Sequence, residues 1–181
     1  DILRREKPDI VGIGTMTFLW DKTKKVVSDI REIVPDAYIV AGGLHTTTFK
    51  ERCFEDIPLL DAVMIGDSEY IMLELVQHLE KGKSLEDIKG LIFKDKKTGK
   101  VTVNPSRPIL KNIDEIPFPA RELVDIYEYR PAMEQYRKWP VTNIIGTRGC
   151  PFQCTFCSRV NKYDVRCRSP ENFVDEIEML V

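Results

Sequence analysis

Three short apolar runs in the first 65 residues each end in a loop of small residues, and an amphipathic stretch follows each loop. The runs cover residues 9–14, 37–41 and 62–65. Short apolar runs of this kind are typical of buried parallel strands, whereas apolar residues at a spacing of three or four are typical of helices. The alternation of strand and helix therefore predicts an α/β fold with a doubly wound parallel sheet.

The helices between these runs have recognisable ends. Apolar positions at helical spacing predict helices over residues 21–34 and 69–81, with a shorter helix over 47–54. Ser68 is a suitable N-terminal cap for the second long helix, and Gly82 stops it. The first helix carries five apolar residues on its predicted inner face: Val26, Val27, Ile30, Ile33 and Val34.

The three loops lie where a ligand binds in such a sheet, which is outside the carboxyl ends of the strands. They are Gly14-Thr15-Met16-Thr17, Gly42-Gly43-Leu44-His45 and Gly66-Asp67-Ser68-Glu69. Glycine allows a ligand to approach the backbone closely, and each loop leads into a helix N-terminus with free N–H groups. The pattern predicts a site for a large ligand that carries phosphates or amides.

The second half of the chain has a different character. Two apolar runs, Gly90–Lys94 and Lys100–Asn104, flank a turn at Lys96–Gly99 and predict a β-hairpin. Six prolines between residues 105 and 140 favour an extended linker. We therefore predict three segments: a front domain over residues 1–104, a linker over 105–140 and the start of a second domain over 141–181.

Three cysteines follow the linker at a C-x3-C-x2-C spacing: Cys150, Cys154 and Cys157. Thiolates are soft ligands that suit iron–sulfur clusters, and a four-iron cluster normally takes four of them. Three thiolates on one loop would leave one iron without a protein ligand and open to a substrate. A catalytic [4Fe-4S] cluster needs such an open iron, whereas an electron carrier does not.

Other uses of clustered cysteines fit this chain less well. A zinc site wants a fourth Cys or His nearby, but Cys167 comes ten residues after Cys157 and no His follows His78. A disulfide scaffold belongs to an oxidising compartment, and the chain has five cysteines and no secretory leader. Cys53 and Cys167 are interpreted as half-buried thiols.

Regular elements are predicted on both sides of the cysteines. The apolar run at 141–146 predicts a strand, and Ser169 and Pro170 predict the N-cap and first residue of a helix. Three apolar residues would share the inner face of this helix: Phe173, Ile177 and Leu180. Strand, cysteine loop and helix would form the first β/α unit of a larger, TIM-like barrel.

The cysteine spacing, the Gly-Cys-Pro entry and the aromatic residue before the third cysteine resemble the radical S-adenosylmethionine (radical SAM) enzymes. In that family the open iron chelates the amino and carboxylate groups of S-adenosylmethionine. The resemblance implies that Cys150, Cys154 and Cys157 hold the cluster and that Phe156 packs near the adenine. It also implies that residues 141–181 begin a partial radical SAM barrel.

The front domain and a linker with the segment Ile116-Pro117-Phe118-Pro119 resemble, more narrowly, the cobalamin-binding (B12-binding) branch of that superfamily, whose front domain is Rossmann-like. The loop at Gly42 matches the family's Gly-Gly-x-His. The loop at Gly14 is similar to Gly-Ile-Ser-x-x-Thr with Gly14 in place of Ser, and the loop at Gly66 keeps the first glycine and last acid of Gly-Glu-Gly-Glu. The implied cobalamin contacts are Thr15, Met16, Thr17, Gly42, Gly43, Leu44, His45, Gly66, Asp67 and Glu69.

The resemblance also implies a reaction. The cluster would cleave S-adenosylmethionine reductively, and the resulting 5′-deoxyadenosyl radical would take a hydrogen from an unactivated carbon. Methylcobalamin would then methylate that carbon. The implied substrate is a small molecule or a lipid, and the implied electron donor is a flavodoxin or ferredoxin.

Three other functions would use some of the same cofactors or domains. The same cofactors serve ring closure in anaerobic Mg-protoporphyrin ester cyclases, and the residues present do not separate cyclisation from methylation. Alternatively, the front domain is a non-catalytic cobalamin-binding module with a structural cluster. A methylthiotransferase would carry further ligand cysteines in its front domain, where this chain has only Cys53.

Single residues of the loops also fit other roles. Gly12-Ile13-Gly14 is half of a dinucleotide fingerprint, but the third glycine is missing. His45 is a candidate cobalt ligand, but the Asp-x-His-x-x-Gly loop of cobalamin proteins with a lower histidine does not occur in the chain. His78 is interpreted as a solvated surface residue.

Composition limits the remaining classes of function. With 27 basic and 29 acidic residues the net charge is −2, which gives no electrostatic reason to bind nucleic acid. No apolar run approaches the roughly 20 residues of a membrane span, and without a leader we expect a reducing, cytoplasmic location. The chain begins without Met and its last residues have a helical pattern, so we expect it to be an excerpt that is inactive without the rest of a longer protein.

Overall fold

The structure, a computed structural model, describes residues 2–129, 132, 136–157 and 164–181. The chain divides into two compact units. The first unit contains residues 1–109 and 155–160, and the second contains residues 110–154 and 161–181. Most of the regular secondary structure lies in the first unit.

The first unit contains strands and helices in alternation. Its strands are β1 (Ile10–Thr15), β2 (Tyr38–Gly43), β3 (Ala62–Met64), β4 (Leu91–Lys94) and β5 (Val101–Val103). Its helices are α1 (Ile2–Glu6), α2 (Trp20–Ile33), α3 (Leu44–Phe49), α4 (Cys53–Asp56) and α5 (Glu69–Glu80), with 3-10 turns at Thr17–Leu19 and Lys50–Arg52. The predicted strands and long helices are confirmed, whereas the predicted helix over 47–54 is two short helices with a 3-10 turn between them.

The five strands form one mixed sheet in the order β1-β2-β3-β4-β5. β1, β2 and β3 are parallel, with Gly14 opposite Gly42 and Thr15 opposite Gly43. β4 pairs antiparallel with β3, and β5 pairs antiparallel with β4. The predicted α/β fold and the predicted hairpin are both confirmed, but the hairpin joins the same sheet and makes it mixed.

Helices cover both faces of this sheet because successive strand residues point to opposite sides. Ile39, Ala41 and Val63 belong to one apolar cluster, which includes residues of α2 and α4. Val40 and Ala62 belong to a second cluster, which includes residues of α5. The doubly wound arrangement follows from this alternation. Among the described residues, no helix combines the length and the apolar character needed to cross a membrane.

Burial differs from the prediction at several positions. β1 is not a fully buried strand, because it lies at the edge of the sheet and leaves Gly12 and Gly14 exposed. Val26 is exposed, because the buried stripe of α2 runs along other positions. Cys53 is completely buried and Cys167 is exposed, so neither is half-buried. The buried stripe of α2 consists of Trp20, Thr23, Val27 and Ile30.

A buried ion pair joins the end of α2 to the amino ends of β2 and β3. Asp61 is buried, and its Oδ2 accepts hydrogen bonds from Arg31 Nη2 and from Ile39 N, each at 2.7 Å. Arg31 also donates to the backbone carbonyls of Ala37 at 2.7 Å and Leu59 at 3.0 Å. A buried carboxylate needs such partners, so Arg31 holds together the edge of the sheet where β2 and β3 begin.

Replacing Arg31 by Met should lower the free energy of unfolding by about 3 kcal/mol, because the buried Asp61 carboxylate loses its closest cation. Urea unfolding followed by circular dichroism measures the difference. Arg52→Met, at an exposed position, is the matched control and should change the free energy by less than about 0.5 kcal/mol. Equal stabilities of the Arg31→Met and Arg52→Met proteins would contradict the role of the ion pair.

Asp95 shapes the predicted turn between β4 and β5. Its Oδ1 accepts hydrogen bonds from Thr98 N at 2.6 Å, Thr98 Oγ1 at 2.8 Å and Lys97 N at 3.0 Å. These bonds, led by the one from the Thr98 backbone, hold the pKa of Asp95 below its ordinary value. Gly99 follows with a φ of +71°, a conformation that favours glycine.

The second unit has less regular structure. It contains β6 (Thr147–Arg148), β7 (Arg166–Cys167) and α6 (Pro170–Glu178), and β6 pairs antiparallel with β7. The strand predicted over 141–146 is not formed, because no strand among the described residues pairs with it and its backbone has no ladder of hydrogen bonds to join. The described part of the predicted linker contains 3-10 turns at Ile113–Glu115, Arg121–Leu123 and Ile126–Glu128.

Helix α6 begins as predicted but buries a different residue. Ser169 is its N-cap, with a side chain that accepts a hydrogen bond from the first turn, and Pro170 is its first residue. Ile177 and Leu180 are exposed, whereas Glu176 is buried. An apolar spacing does not reveal a buried carboxylate, because its burial depends on cationic partners elsewhere in the chain.

Candidate functional site

The three predicted loops meet at one edge of the sheet. Because β1, β2 and β3 are parallel, the loops that follow them leave the sheet at the same end. The first loop leads into α2 through a 3-10 turn, the second leads directly into α3, and the third leads into α5. We call this end of the first unit the carboxyl edge.

Gly43 is the point of closest approach between the first two loops. The buried Thr15 hydroxyl donates to Gly42 O at 2.9 Å. Gly43 has a φ of +112°, and a Cβ atom at this position would lie 2.5 Å from Thr15 O. Neither the conformation nor the space accepts a side chain. Glycine at position 43 is therefore a requirement of the backbone at the carboxyl edge.

Gly43→Ala should lower the free energy of unfolding by about 2 kcal/mol or more, because the new methyl group meets Thr15 and the positive φ is strained. Thermal unfolding measures the change. Gly14→Ala is the control from the neighbouring strand, since no atom of the described residues lies within 4 Å of a Cβ atom there. If both variants were equally stable, the close approach at Gly43 would not constrain the fold.

Two threonines of α3 join the second loop to the third. Thr46 Oγ1 donates to Met64 O at 3.0 Å. Thr47 Oγ1 accepts from Gly66 N at 3.0 Å and donates to Gly43 O at 2.8 Å. Neither threonine was predicted to have a role. The three consecutive threonines at 46–48 are the sequence signal, because their short hydroxyl side chains can bond to nearby backbone groups.

His45 lies between two aromatic rings. The centroid of its imidazole is 3.9 Å from that of Trp20 and 4.4 Å from that of Phe49, with small angles between the ring planes. Nδ1 lies 3.3 Å from Thr17 Oγ1. Nε2 is buried and has no hydrogen-bond partner among the described residues. Since buried polar atoms are normally paired, a ligand that bonds to this nitrogen would remove an energetic cost.

Side chains of α4 and α2 fix the orientation of the Trp20 ring. Its indole Nε1 donates to Asp56 Oδ2 at 3.0 Å, and the Lys24 ammonium lies 3.8 Å from Asp56 Oδ1. Trp20 and Phe49 were not predicted as site residues. The available signal was their place in the sequence, because each is an aromatic residue a few positions after a glycine loop.

Burial lowers the pKa of His45 below its ordinary value of 6.5, although the nearby Asp56 carboxylate acts in the opposite direction. The folded protein therefore holds a neutral imidazole at neutral pH. The unfolded chain binds a proton at His45 at a higher pH than the folded chain does. His45 thus contributes stability that is present above about pH 6.5 and is lost as the pH falls through the lowered pKa.

The melting temperature should fall between about pH 7.5 and pH 5.5, and His45→Phe should reduce this fall because a phenyl ring keeps the stacking and binds no proton. Differential scanning calorimetry at both pH values measures the effect. His78→Gln, at the chain's other histidine, should retain the wild-type fall. The same pH dependence in the His45→Phe and wild-type proteins would show that His45 is not the group that titrates.

Apolar side chains surround the first two loops. Met16 and Phe18 are exposed beside the first loop, and Leu44 and Phe49 are exposed in α3. The backbone of Gly43 is exposed as well. Clustered exposed apolar groups mark ligand or partner sites more often than isolated ones do. The carboxyl edge therefore combines a bare stretch of backbone with apolar contacts.

The third loop differs in detail from the prediction. Ser68 occupies the N-cap position of α5, but its hydroxyl donates to Gly66 O at 3.1 Å and makes no cap hydrogen bond. The predicted capping by this side chain is wrong because the hydroxyl is used within the loop. Gly66 has a φ of +81°. Asp67 is half-buried and Glu69 is exposed at the first residue of α5.

The three predicted cluster ligands follow β6. Cys150, Cys154 and Cys157 are exposed, as is Phe156. In the part of the chain that the structure describes, no three His, Cys, Asp or Glu side chains are gathered as a metal site. The assignment of the thiols as ligands therefore stays a prediction. It rests on the chemistry of the donor set, which suits iron.

The front of the chain matches a known protein family. The B12 binding domain family matches residues 1–76. The match includes all three loops of the carboxyl edge.

The chain is similar to larger enzymes over nearly all of its length. It is 35% identical over 181 residues to an uncharacterized methyltransferase of Pyrococcus horikoshii. The matched region makes up 99% of this chain and 38% of that protein. It is 32% identical over 183 residues to the anaerobic magnesium-protoporphyrin IX monomethyl ester cyclase of Rubrivivax gelatinosus. That match includes 97% of this chain and 31% of the cyclase. The chain thus spans less than half the length of the curated relatives it matches.

Solved structures share the fold. The cobalamin-dependent S-adenosylmethionine radical enzyme OxsB, solved with aqua-cobalamin, matches with a TM-score of 0.76 and 23% identity over 99% of this chain and 24% of that chain. The radical S-adenosylmethionine methyltransferase TsrM from Kitasatospora setae, solved with cobalamin and a [4Fe-4S] cluster, matches with a TM-score of 0.66 and 23% identity over 96% of this chain and 35% of that chain. At these identities the likeness shows the Rossmann-like B12-binding fold.

The residues at the carboxyl edge fit cobalamin. Its corrin ring is flat and largely apolar, and amide side chains surround the ring. The exposed Gly43 backbone and the exposed Met16 and Leu44 side chains suit a flat apolar face. The Nε2 of His45, which has no hydrogen-bond partner among the described residues, suits an amide. The chain's own features and the family match therefore agree on the ligand class.

Proposed function

We propose that the chain is part of a cobalamin-dependent radical SAM enzyme that methylates an unactivated carbon of a small-molecule or lipid substrate. The observation that carries the proposal is the meeting of three small-residue loops of a B12 binding domain, in one chain with a C-x3-C-x2-C motif. The similarity to the methyltransferase of Pyrococcus horikoshii over 99% of the chain supports methyl transfer.

The carboxyl edge would hold cobalamin through complementary contacts. Gly43 would allow the ring to approach the backbone, because no side chain stands in the way. His45 would bond to an amide through Nε2, and its orientation is fixed by the rings of Trp20 and Phe49. The remaining proposed contacts are Thr15, Met16, Thr17, Gly42, Leu44, Gly66, Asp67 and Glu69.

The cysteine loop would hold the cluster through Cys150, Cys154 and Cys157, and Phe156 would contact the adenine of S-adenosylmethionine. When bound, the cluster supplies the electron that cleaves S-adenosylmethionine, and cobalamin supplies the methyl group. The protein's part is to orient these groups and to exclude water from them. Because the thiols must stay reduced, we place the protein in the cytoplasm, with a flavodoxin or ferredoxin as its electron donor.

The three segments would divide this work. Residues 1–104 would bind cobalamin, and residues 141–181 would begin the domain that binds S-adenosylmethionine. Residues 105–140 would connect these two domains. The full-length relatives are more than twice as long as the part that matches. The pocket for the substrate would therefore come largely from residues outside this chain.

Ring closure is the second candidate reaction, favoured by the 32% identity to the cyclase of Rubrivivax gelatinosus. Isotopically labelled S-adenosylmethionine distinguishes the two candidates in the full-length enzyme. A methyltransferase passes the labelled methyl group to its product, whereas a cyclase does not. Both reactions release methionine, and a non-catalytic cobalamin-binding module releases none.

Two sets of variants should separate the two cofactor sites in the full-length protein, reconstituted without oxygen. Cys150→Ala, Cys154→Ala and Cys157→Ala should each lose the visible absorption of the cluster and most of the iron, and should keep cobalt. Gly14→Phe should lose cobalt and keep iron, because the added ring would compete with the proposed ligand beside the first loop. No atom of the described residues lies within 4 Å of a Cβ atom at Gly14.

Mass spectrometry of the metals measures both outcomes. Cys167→Ala is the matched control for the cysteines, since Cys167 is also exposed, and it should keep both metals. Gly14→Ala is the control for Gly14→Phe. Full iron in any of the three cysteine variants would refute that ligand, and full cobalt in Gly14→Phe would refute the location of the cobalamin site.

A further inference from the structure

The second unit contains a buried carboxylate that the proposed reaction does not use. Glu176 of α6 is 2% exposed. Its Oε1 accepts from Arg121 Nη2 at 2.6 Å, and its Oε2 accepts from Arg168 Nη1. Desolvation raises the pKa of Glu176, but the hydrogen bonds from Arg168 and Arg121 outweigh it and lower the pKa below the ordinary value. The side chain is therefore an ionised group held between two guanidinium groups.

Arg168 is oriented by more than this ion pair. Its Nε donates to Asn172 Oδ1 at 2.5 Å, and its Nη2 donates to Asn172 O at 2.7 Å. The guanidinium carbon lies 5.1 Å from the centroid of the Phe118 ring and 5.5 Å from that of the Phe173 ring. A planar guanidinium between rings and a fixed carboxylate has little rotational freedom.

The two arginines hold a segment of backbone as well as the carboxylate. Arg121 Nη2 donates to Asn143 O at 2.9 Å. Arg168 donates to Ile145 O through Nη1 at 3.4 Å and to Gly146 O through its backbone N–H at 3.0 Å. These carbonyls belong to residues 143–146, which lead directly into β6 and then to Cys150.

Close packing fixes the same segment. A Cβ atom at Gly146 would lie 3.2 Å from the Phe173 ring, so the chain passes tightly against α6. The run at 141–146 is not part of a strand. Its course therefore depends on hydrogen bonds from Arg121 and Arg168 and on packing against α6, and the side chains of both arginines bond to Glu176.

We propose that Glu176 is a positioning residue for Cys150: through Arg121 and Arg168 it fixes the backbone from 143 to 146 and so the direction in which the chain enters β6 and the cysteine loop. The inference rests on the proposed function, because it takes Cys150 as a cluster ligand. Buried ion pairs add little net stability compared with apolar residues of the same size. The main effect of this ion pair is to fix the geometry of the backbone. A metal cluster depends on such fixed geometry, because the residues that contact its ligands determine how the ligands are oriented.

Glu176→Gln keeps the size of the side chain and removes its charge, so it tests this role. The full-length variant, reconstituted without oxygen, should still assemble a cluster. The rate at which a ferrous chelator removes iron from this cluster should be about tenfold higher than the rate for the wild-type protein. The electron paramagnetic resonance spectrum of the reduced cluster should also change. Cobalt per chain should equal that of wild type. Glu178→Gln, at an exposed position of the same helix, is the matched control and should behave as wild type does.

A lowered melting temperature with a wild-type chelation rate and spectrum would overturn the proposal, because Glu176 would then act on stability alone. If Glu176→Gln fails to fold, Arg168→Lys tests the proposal instead, since it keeps the positive charge and removes the planar guanidinium group with its several donors. Faster chelation from Arg168→Lys supports the proposal, and an unchanged rate overturns it. Wild-type protein without iron would refute the cluster itself and the positioning role with it, whereas a wild-type cluster that is unaffected by these variants refutes the positioning role alone.

Discussion

The parallel pairing of β1 with β2 is the constraint on which the carboxyl edge depends. Its register places Gly14 opposite Gly42 and Thr15 opposite Gly43. Thr15 can donate to Gly42 O only in this register, and Gly43 can approach Thr15 only without a side chain. A slip by one residue would turn every side chain of the strand to the other face. The threonine bonds of α3 and the stacking of His45 build on this arrangement.

Three threonine hydroxyls of the carboxyl edge are hydrogen-bonded, whereas one ring nitrogen of His45 lacks a partner among the described residues. Hydroxyl groups of Thr15, Thr46 and Thr47 satisfy backbone groups of the loops. The Nε2 atom of His45 has no partner among the described residues, although the ring is stacked and bonded through Nδ1. A site with an unsatisfied buried group gains free energy from a ligand that supplies the missing bond. This arrangement suits selective recognition of a cofactor that carries amides.

Local patterns predicted much of the fold, and distant contacts account for what was missed. Strands, helices and glycine loops were predicted because their signals lie within a few residues. Trp20 was missed because its partner Asp56 comes 36 residues later. Glu176 was missed because its arginine partners lie outside α6. The strand at 141–146 was wrong because an apolar run becomes a strand only beside another strand. The cysteine spacing predicts a ligand set, and the exposed thiols leave that prediction open to test.

We propose that one protein holds both cobalamin and an iron–sulfur cluster. Metal analysis of the full-length protein, purified without oxygen and reconstituted with iron, sulfide and cobalamin, tests it most directly. We expect about four irons and one cobalt per chain. Four irons without cobalt would contradict the assignment of the carboxyl edge. Protein without iron would contradict the assignment of the cysteines and, with it, the claim itself.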